Sequence, residues 1–77
     1  MMLSAPNRLI AELQDKVPGL QASLHHDGLL RLIYRCPCGE LSMMRLEIAH
    51  VPPAVTFEFV LESLRNHVRS EGNTPVF

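Results

Sequence analysis

The first apolar pattern of the chain has helical spacing. Ser4 suits an N-cap, and Pro6 suits the first turn, where its missing N–H would have no helical partner. The dipeptide Pro18-Gly19 ends the pattern. The spacing therefore predicts a helix over residues 6–16, with one apolar stripe formed by Leu9, Ile10, Leu13 and Val17.

Alternation of apolar and polar residues follows, which is typical of a half-buried strand. The turn signal Asp27-Gly28 leads into a second strand. A two-residue loop would pair Leu24 with Arg31 and place an arginine on the core face. A three-residue loop at residues 26–28 aligns the apolar rows instead, with Gly28 in the left-handed position of a bulged type I turn. The predicted pairs are Leu24 with Leu30, Ala22 with Leu32, and Leu20 with Tyr34.

A second hairpin repeats this logic with Pro37, Cys38 and Gly39 as its loop. Proline suits the first central turn position, and Gly39 suits the left-handed one. The predicted pairs are Cys36 with Glu40, Tyr34 with Ser42, Leu32 with Met44, and Leu30 with Leu46. Two hairpins that independently favour the same turn class make this stretch the centre of the predicted fold.

The third strand ends at the segment Val51-Pro52-Pro53, because proline cannot donate to a strand ladder. A second helix is predicted over Pro53–Ser70, followed by a tail at about residues 71–77 that is expected to be loosely ordered. The predicted core stripe of this helix is Phe57, Leu61, Leu64 and Val68, flanked by Val60 and Ala54. Val55 and Phe59 fall on the opposite side.

These elements predict a single α+β domain over residues 1–77, in the order helix, three-stranded antiparallel meander, helix. Both helices are expected to cover one sheet face, which gives a two-layer sandwich. The covered row is Leu24, Leu30, Leu32, Tyr34, Met44, Leu46 and Ile48. The other face carries Gln21, Ser23, Leu29, Arg31, Ile33, Arg35, Leu41, Met43, Arg45 and Glu47.

The element order resembles that of double-stranded RNA-binding domains, in topology alone. Those domains open their last helix with glycines and a lysine cluster that contacts groove phosphates. This chain has His50-Val51-Pro52-Pro53-Ala54-Val55 at that position, followed by Glu58 and Glu62. The departure removes the residues that would contact the phosphates.

The composition is that of an ordinary globular chain, at 47% hydrophobic and 19% charged residues. The net charge of −1 gives no global attraction to nucleic acid or anionic membranes. Two cysteines one residue apart do not form a disulfide framework. We expect a cytoplasmic protein with reduced thiols and no signal peptide, and the compact chain suggests a bacterial or viral source.

The turn Cys36-Pro37-Cys38-Gly39 is a candidate zinc site, because zinc knuckles place thiolates on glycine-containing turns. The usual spacing has two intervening residues, and this turn has one. The second helix runs back toward the turn, so His67 is the predicted third ligand, with Glu40 or a second subunit as the fourth. Two alternatives stay open. The thiols can serve as packing groups, or they can carry redox chemistry, although no helix begins there to stabilise a thiolate.

The uncovered sheet face is the second candidate site. Arg31 pairs across with Arg45, and Ile33 pairs with Met43. Like charges directly opposite each other destabilise a sheet, so this face resembles a surface that a partner covers. We call its five predicted binding residues the arginine face: Arg31, Ile33, Arg35, Met43 and Arg45. The alternative is a mixed face left to water.

Val55 and Phe59 extend the predicted binding residues to the outside of the second helix, where a homodimer would cover them. The chain has no nucleophile motif, phosphate-binding glycine loop or paired carboxylates, so an enzyme is not expected. The sequence favours a non-enzymatic protein-interaction module that binds a protein partner through the arginine face. The alternative is a zinc-stabilised nucleic-acid-binding or regulatory protein that uses the same arginines.

Overall fold

The computed structural model describes residues 5–36 and 39–77. Helix α1 (Ala5–Lys16) is followed by strands β1 (Leu20–Leu24), β2 (Leu29–Arg35) and β3 (Leu41–Glu47), and then by helix α2 (Pro53–Ser70). The three strands form one antiparallel sheet in the order β1-β2-β3. This confirms the predicted α+β fold. Neither helix of the described chain combines the length and the apolar character that a membrane crossing requires.

The strand register agrees with the prediction in both hairpins. Leu24 faces Leu30 and Leu20 faces Tyr34 across the first pair, and Leu30 faces Leu46 across the second. All of the other predicted partners within the strands are also confirmed. The alternation of apolar residues therefore specified the pairing, because a slip by one residue would exchange the two sheet faces.

The two turns share one hydrogen-bonding pattern. In the first, the His25 N–H donates to the Leu29 carbonyl at 3.0 Å, and the Gly28 N–H donates to the His25 carbonyl at 2.9 Å. In the second, the Cys36 N–H donates to the Glu40 carbonyl and the Gly39 N–H donates to the Cys36 carbonyl, both at 2.8 Å. Both glycines have positive φ, at 85° and 95°, as the bulged turn requires. Pro37 and Cys38 lie outside the described residues.

The core lies between the helices and the inner face of the sheet. Both helices contribute to it, and the burial of these side chains supplies the main driving force for folding. The buried apolar residues are Leu9, Leu13, Val17, Leu20, Leu30, Leu32, Tyr34, Cys36, Val60, Leu61, Leu64 and Val68. Met44, Leu46 and Ile48 are only half-buried against this cluster, so the inner side of β3 is less well covered than that of β2.

Two predictions about the core were wrong. Leu24 keeps its predicted register, but it is 43% exposed, because it ends an edge strand at a point that the helices do not cover. On α2, Ala54 is exposed and Phe57 is half-buried, whereas Thr56 is 5% exposed. Leu61, Leu64 and Val68 are buried as predicted, but the stripe is rotated so that it includes Thr56 and leaves Ala54 exposed. Packing against the sheet sets this rotation, and the apolar pattern alone does not define it.

The connection between β3 and α2 begins earlier than predicted. The strand ends at Glu47, and the Val51 N–H donates to the Ile48 carbonyl at 3.3 Å in a turn. His50 has a positive φ of 67° in this turn, a conformation that costs an L-residue roughly 1–2 kcal/mol. Helix α2 then begins at Pro53, with proline in its first turn as predicted.

The end of α2 is closed by two backbone hydrogen bonds. The Asn73 N–H donates to the Val68 carbonyl at 3.1 Å, and the Gly72 N–H donates to the Arg69 carbonyl at 3.0 Å, which is a Schellman motif. Beyond it, the Phe77 ring packs edge-on to Tyr34 with centroids 6.1 Å apart. The Phe77 carbonyl accepts a hydrogen bond from the Arg65 Nε at 2.8 Å. Loose order in residues 71–77 stays a prediction.

Candidate protein-binding face

The arginine face lies on the side of the sheet away from the helices. Strand alternation turns residues 31, 33 and 35 of β2 outward, together with residues 41, 43 and 45 of β3. Apolar side chains occupy its middle, since Ile33 is 37% exposed and Met43, directly opposite it, is 77% exposed. Leu41, opposite Arg35, is 59% exposed. These large apolar groups are in adjacent rows of one surface.

Positive charge borders this apolar centre. Arg31 lies directly opposite Arg45, and Arg35 is exposed one row beyond Ile33. Within the described chain, no ion pair joins any of these arginines to a carboxylate. Glu47 is one row away from Arg31 and Arg45 on the same sheet face, yet it forms an ion pair with neither of them. The sheet therefore retains a like-charge pair that costs stability.

The Arg31 guanidinium has an unusual environment for a surface arginine. Its Nε atom is buried and has no hydrogen-bond partner, although the residue as a whole is only half-buried. A buried donor that is left unsatisfied costs about 1–3 kcal/mol.

A depression of about 500 Å³ lies over this part of the sheet. Arg31, Ile33, Met43 and Arg45 contribute to its lining, as predicted residues of the face, and His25 joins them. The sequence analysis did not assign His25 to this surface. The alternation of β1, continued one residue beyond Leu24, would have indicated its outward position.

The second predicted contact lies on the outside of α2. Val55 is 57% exposed and Phe59 is 54% exposed, as the helical spacing predicts. Together with Val51 and Leu46 they border an apolar depression of about 210 Å³ beside β3. Exposed apolar side chains that cluster in this way are typical of surfaces that bind another molecule.

The three predicted metal ligands have different outcomes. Cys36 is 1% exposed and belongs to the core cluster, and Cys38 lies outside the described residues. The end of α2 does return toward this part of the sheet, because the His67 ring lies edge-on to Tyr34 with centroids 6.5 Å apart. The His67 Nε2 is buried without a hydrogen-bond partner. No metal-binding group of three side chains occurs within residues 5–36 and 39–77. The zinc site stays a prediction.

The arginine face is chemically suited to binding an anionic and partly apolar surface. Arginine forms charge-assisted, often bidentate hydrogen bonds with carboxylates and phosphates. Ile33 and Met43 add an apolar centre that a partner can cover. Comparison of the chain with models of known families, with curated proteins and with solved structures gave no match.

Proposed function

We propose that this protein is a small, non-enzymatic interaction module of the cytoplasm. It binds a protein partner through the arginine face, and it forms a homodimer in which Val55 and Phe59 supply a second contact. One observation carries the proposal: Arg31 lies opposite Arg45 with no carboxylate partner in residues 5–36 and 39–77, beside the exposed side chains of Ile33 and Met43. Arginine next to apolar anchors is typical of protein interfaces.

A protein partner fits this face better than a nucleic acid does. The row next to the two opposed arginines is apolar. Protein surfaces that bind single-stranded nucleic acid usually supply aromatic rings for base stacking. Tyr34 is 3% exposed and belongs to the core instead of this face. The net charge of −1 adds no long-range attraction to phosphate.

The proposal is tested by reversing the charge of the face without disturbing the core. The tagged variant R31E/R45E is compared with wild type for protein capture from cells that express it. The control K16E/R69E changes the net charge equally, at two exposed positions in the last turns of the helices. We expect wild type and the control to retain the same protein, and R31E/R45E to lose it.

If R31E/R45E captured the same proteins as wild type, the arginine face would be refuted as the binding surface. The dependence of binding on ionic strength distinguishes a nucleic-acid partner from a protein partner. Phosphate contacts make the logarithm of the affinity fall steeply and linearly with the logarithm of the salt concentration. A captured nucleic acid with this salt dependence, in place of a protein, would replace the proposed function with nucleic-acid binding.

A further inference from the structure

The outer side of α2 carries two glutamates beside the exposed apolar pair. We call Val55, Glu58, Phe59 and Glu62 the helix stripe; all four are exposed. Glu58 and Glu62 are four residues apart, as are Val55 and Phe59, so each pair has its Cβ atoms about 5–6 Å apart. Helical geometry places the two pairs about 60° apart around the axis, which is about 5–6 Å at the radius of the side chains. The stripe is therefore a two-by-two array with one acidic row and one apolar row.

The arginine face contains an array of matching size and opposite charge. Arg31 and Arg45 form one row, with Cβ atoms about 4.5–5.5 Å apart as directly paired residues. Ile33 and Met43 form the next row, about 6.6–6.8 Å along the strands. A helix that lies across the strands can place its acidic row on the arginines and its apolar row on Ile33 and Met43.

We infer that the arginine face of one copy of this chain binds the helix stripe of a second copy. The inference rests on the proposed function and names the partner of the same face. Glu58 and Glu62 supply the carboxylates that Arg31 and Arg45 lack among the described residues of their own chain. Val55 and Phe59 cover the apolar row, so one contact accounts for both exposed surfaces.

Charge selects this pairing among the contacts that two copies can make. Two arginine faces in contact would place arginine against arginine, and two helix stripes would bring the glutamates of both copies together. Like-charge juxtaposition of this kind disfavours a contact. The contact between an arginine face and a helix stripe brings opposite charges together.

The two surfaces belong to different layers of the molecule, since the arginine face is on the sheet and the helix stripe is on α2. Val60 and Leu64 point from α2 into the core, whereas the stripe lies on the other side of that helix. The arginine face is on the far side of the sheet, so a copy cannot cover its own face. The contact is head-to-tail, and such contacts do not close on themselves by twofold symmetry. The first product is a dimer with one arginine face still open, and further copies add as the concentration rises.

Sedimentation analysis of two reversed variants and their mixture tests this pairing. R31E/R45E has two acidic surfaces, and E58R/E62R has two basic surfaces, so each is expected to be a monomer alone. Their equimolar mixture restores opposite charges at every contact and should associate. Wild type and the control K16E/R69E should both show a mass that rises with concentration. Circular dichroism verifies that each variant is folded.

Three results would overturn the inference. These are a wild type that stays monomeric at every concentration, variants that associate alone as wild type does, and a mixture that stays monomeric. The proposed function is judged separately by protein capture. A monomeric wild type that captures a different protein, and loses it in R31E/R45E, would overturn the self-contact and keep the binding face.

Discussion

Arg31 lies directly opposite Arg45 across β2 and β3, and neither has a carboxylate partner within the described chain. The Arg31 Nε is also buried without an acceptor. Folding alone gives no reason for this arrangement, because the like-charge pair and the unsatisfied donor both reduce stability. A carboxylate bound to the guanidinium groups would offset the like-charge repulsion, which links this local cost to binding.

The variant R45E should therefore raise stability while it abolishes binding. It replaces a repulsive pair with an attractive one at an exposed position, and we expect a gain of about 0.5–1 kcal/mol in the free energy of unfolding. Urea denaturation measures the gain, and R45Q, which only removes the repulsion, should give an intermediate value. A loss of stability in R45E would show that Arg45 is needed for the fold itself.

Leu24 and Leu30 face each other across the first hairpin but differ in burial, so they make a matched test of the core. Leu30 is fully buried, and truncation to alanine should cost about 2–5 kcal/mol. Leu24 is 43% exposed, so L24A should cost less than about 1 kcal/mol. The two values come from chemical denaturation. Equal costs would place Leu24 in the core and contradict the observed fold.

Gly19 and Gly28 both have positive φ, at 83° and 85°, but only one is crowded. A Cβ at position 19 would lie 3.3 Å from the Arg35 carbonyl oxygen, whereas a Cβ at position 28 has nothing within 4 Å. We expect G28A to cost about 1–2 kcal/mol for the left-handed conformation alone. G19A should cost more, since β1 or β2 must shift as well. Thermal melts of the two variants compare them, and a smaller loss for G19A would contradict this contact.

The burial of Cys36 favours a packing role for its thiol, which is 1% exposed within the core. We expect a chelator to leave the melting temperature of the purified protein unchanged. C36A should lower stability by about 1–2 kcal/mol through the lost contacts. Stoichiometric zinc in native mass spectrometry, with melting that falls on chelation, would instead assign Cys36, Cys38 and His67 as ligands.

The strand register could be predicted because two independent signals agreed. The apolar rows aligned in one register only, and Gly28 and Gly39 supplied the left-handed position of the same turn class. The outward position of the arginine face followed from that register by alternation. The strand register and the outward position of the arginine face therefore both follow from the local pattern of residues, which can be read from the sequence.

Coverage of the core could not be predicted in the same way. The pattern places Leu24 on the inner face, but only the position of the helices decides whether anything covers it. The rotation of α2 that buries Thr56 depends on how the helix packs against the sheet. The positive φ of His50 has no signal in the sequence either, because glycine is the residue that usually marks this conformation.

Details of the candidate site also required side-chain positions. The unpaired Nε of Arg31 depends on atoms that a strand pattern does not locate. The acidic row of the helix stripe was readable from the sequence, since Glu58 and Glu62 have helical spacing. Its match to the arginine face became visible only when both arrays were placed in one structure.

The central claim is that a second copy of this chain covers the arginine face, and arginine-specific chemical labelling at low and high protein concentration tests it most directly. Mass spectrometry reports the labelling rate of each arginine, and Arg8 and Arg69, exposed on the helices, serve as internal references. The account predicts that Arg31, Arg35 and Arg45 become protected as the concentration rises, whereas the references do not. Labelling rates of Arg31, Arg35 and Arg45 that stay unchanged as the concentration rises, like those of the two references, would contradict it.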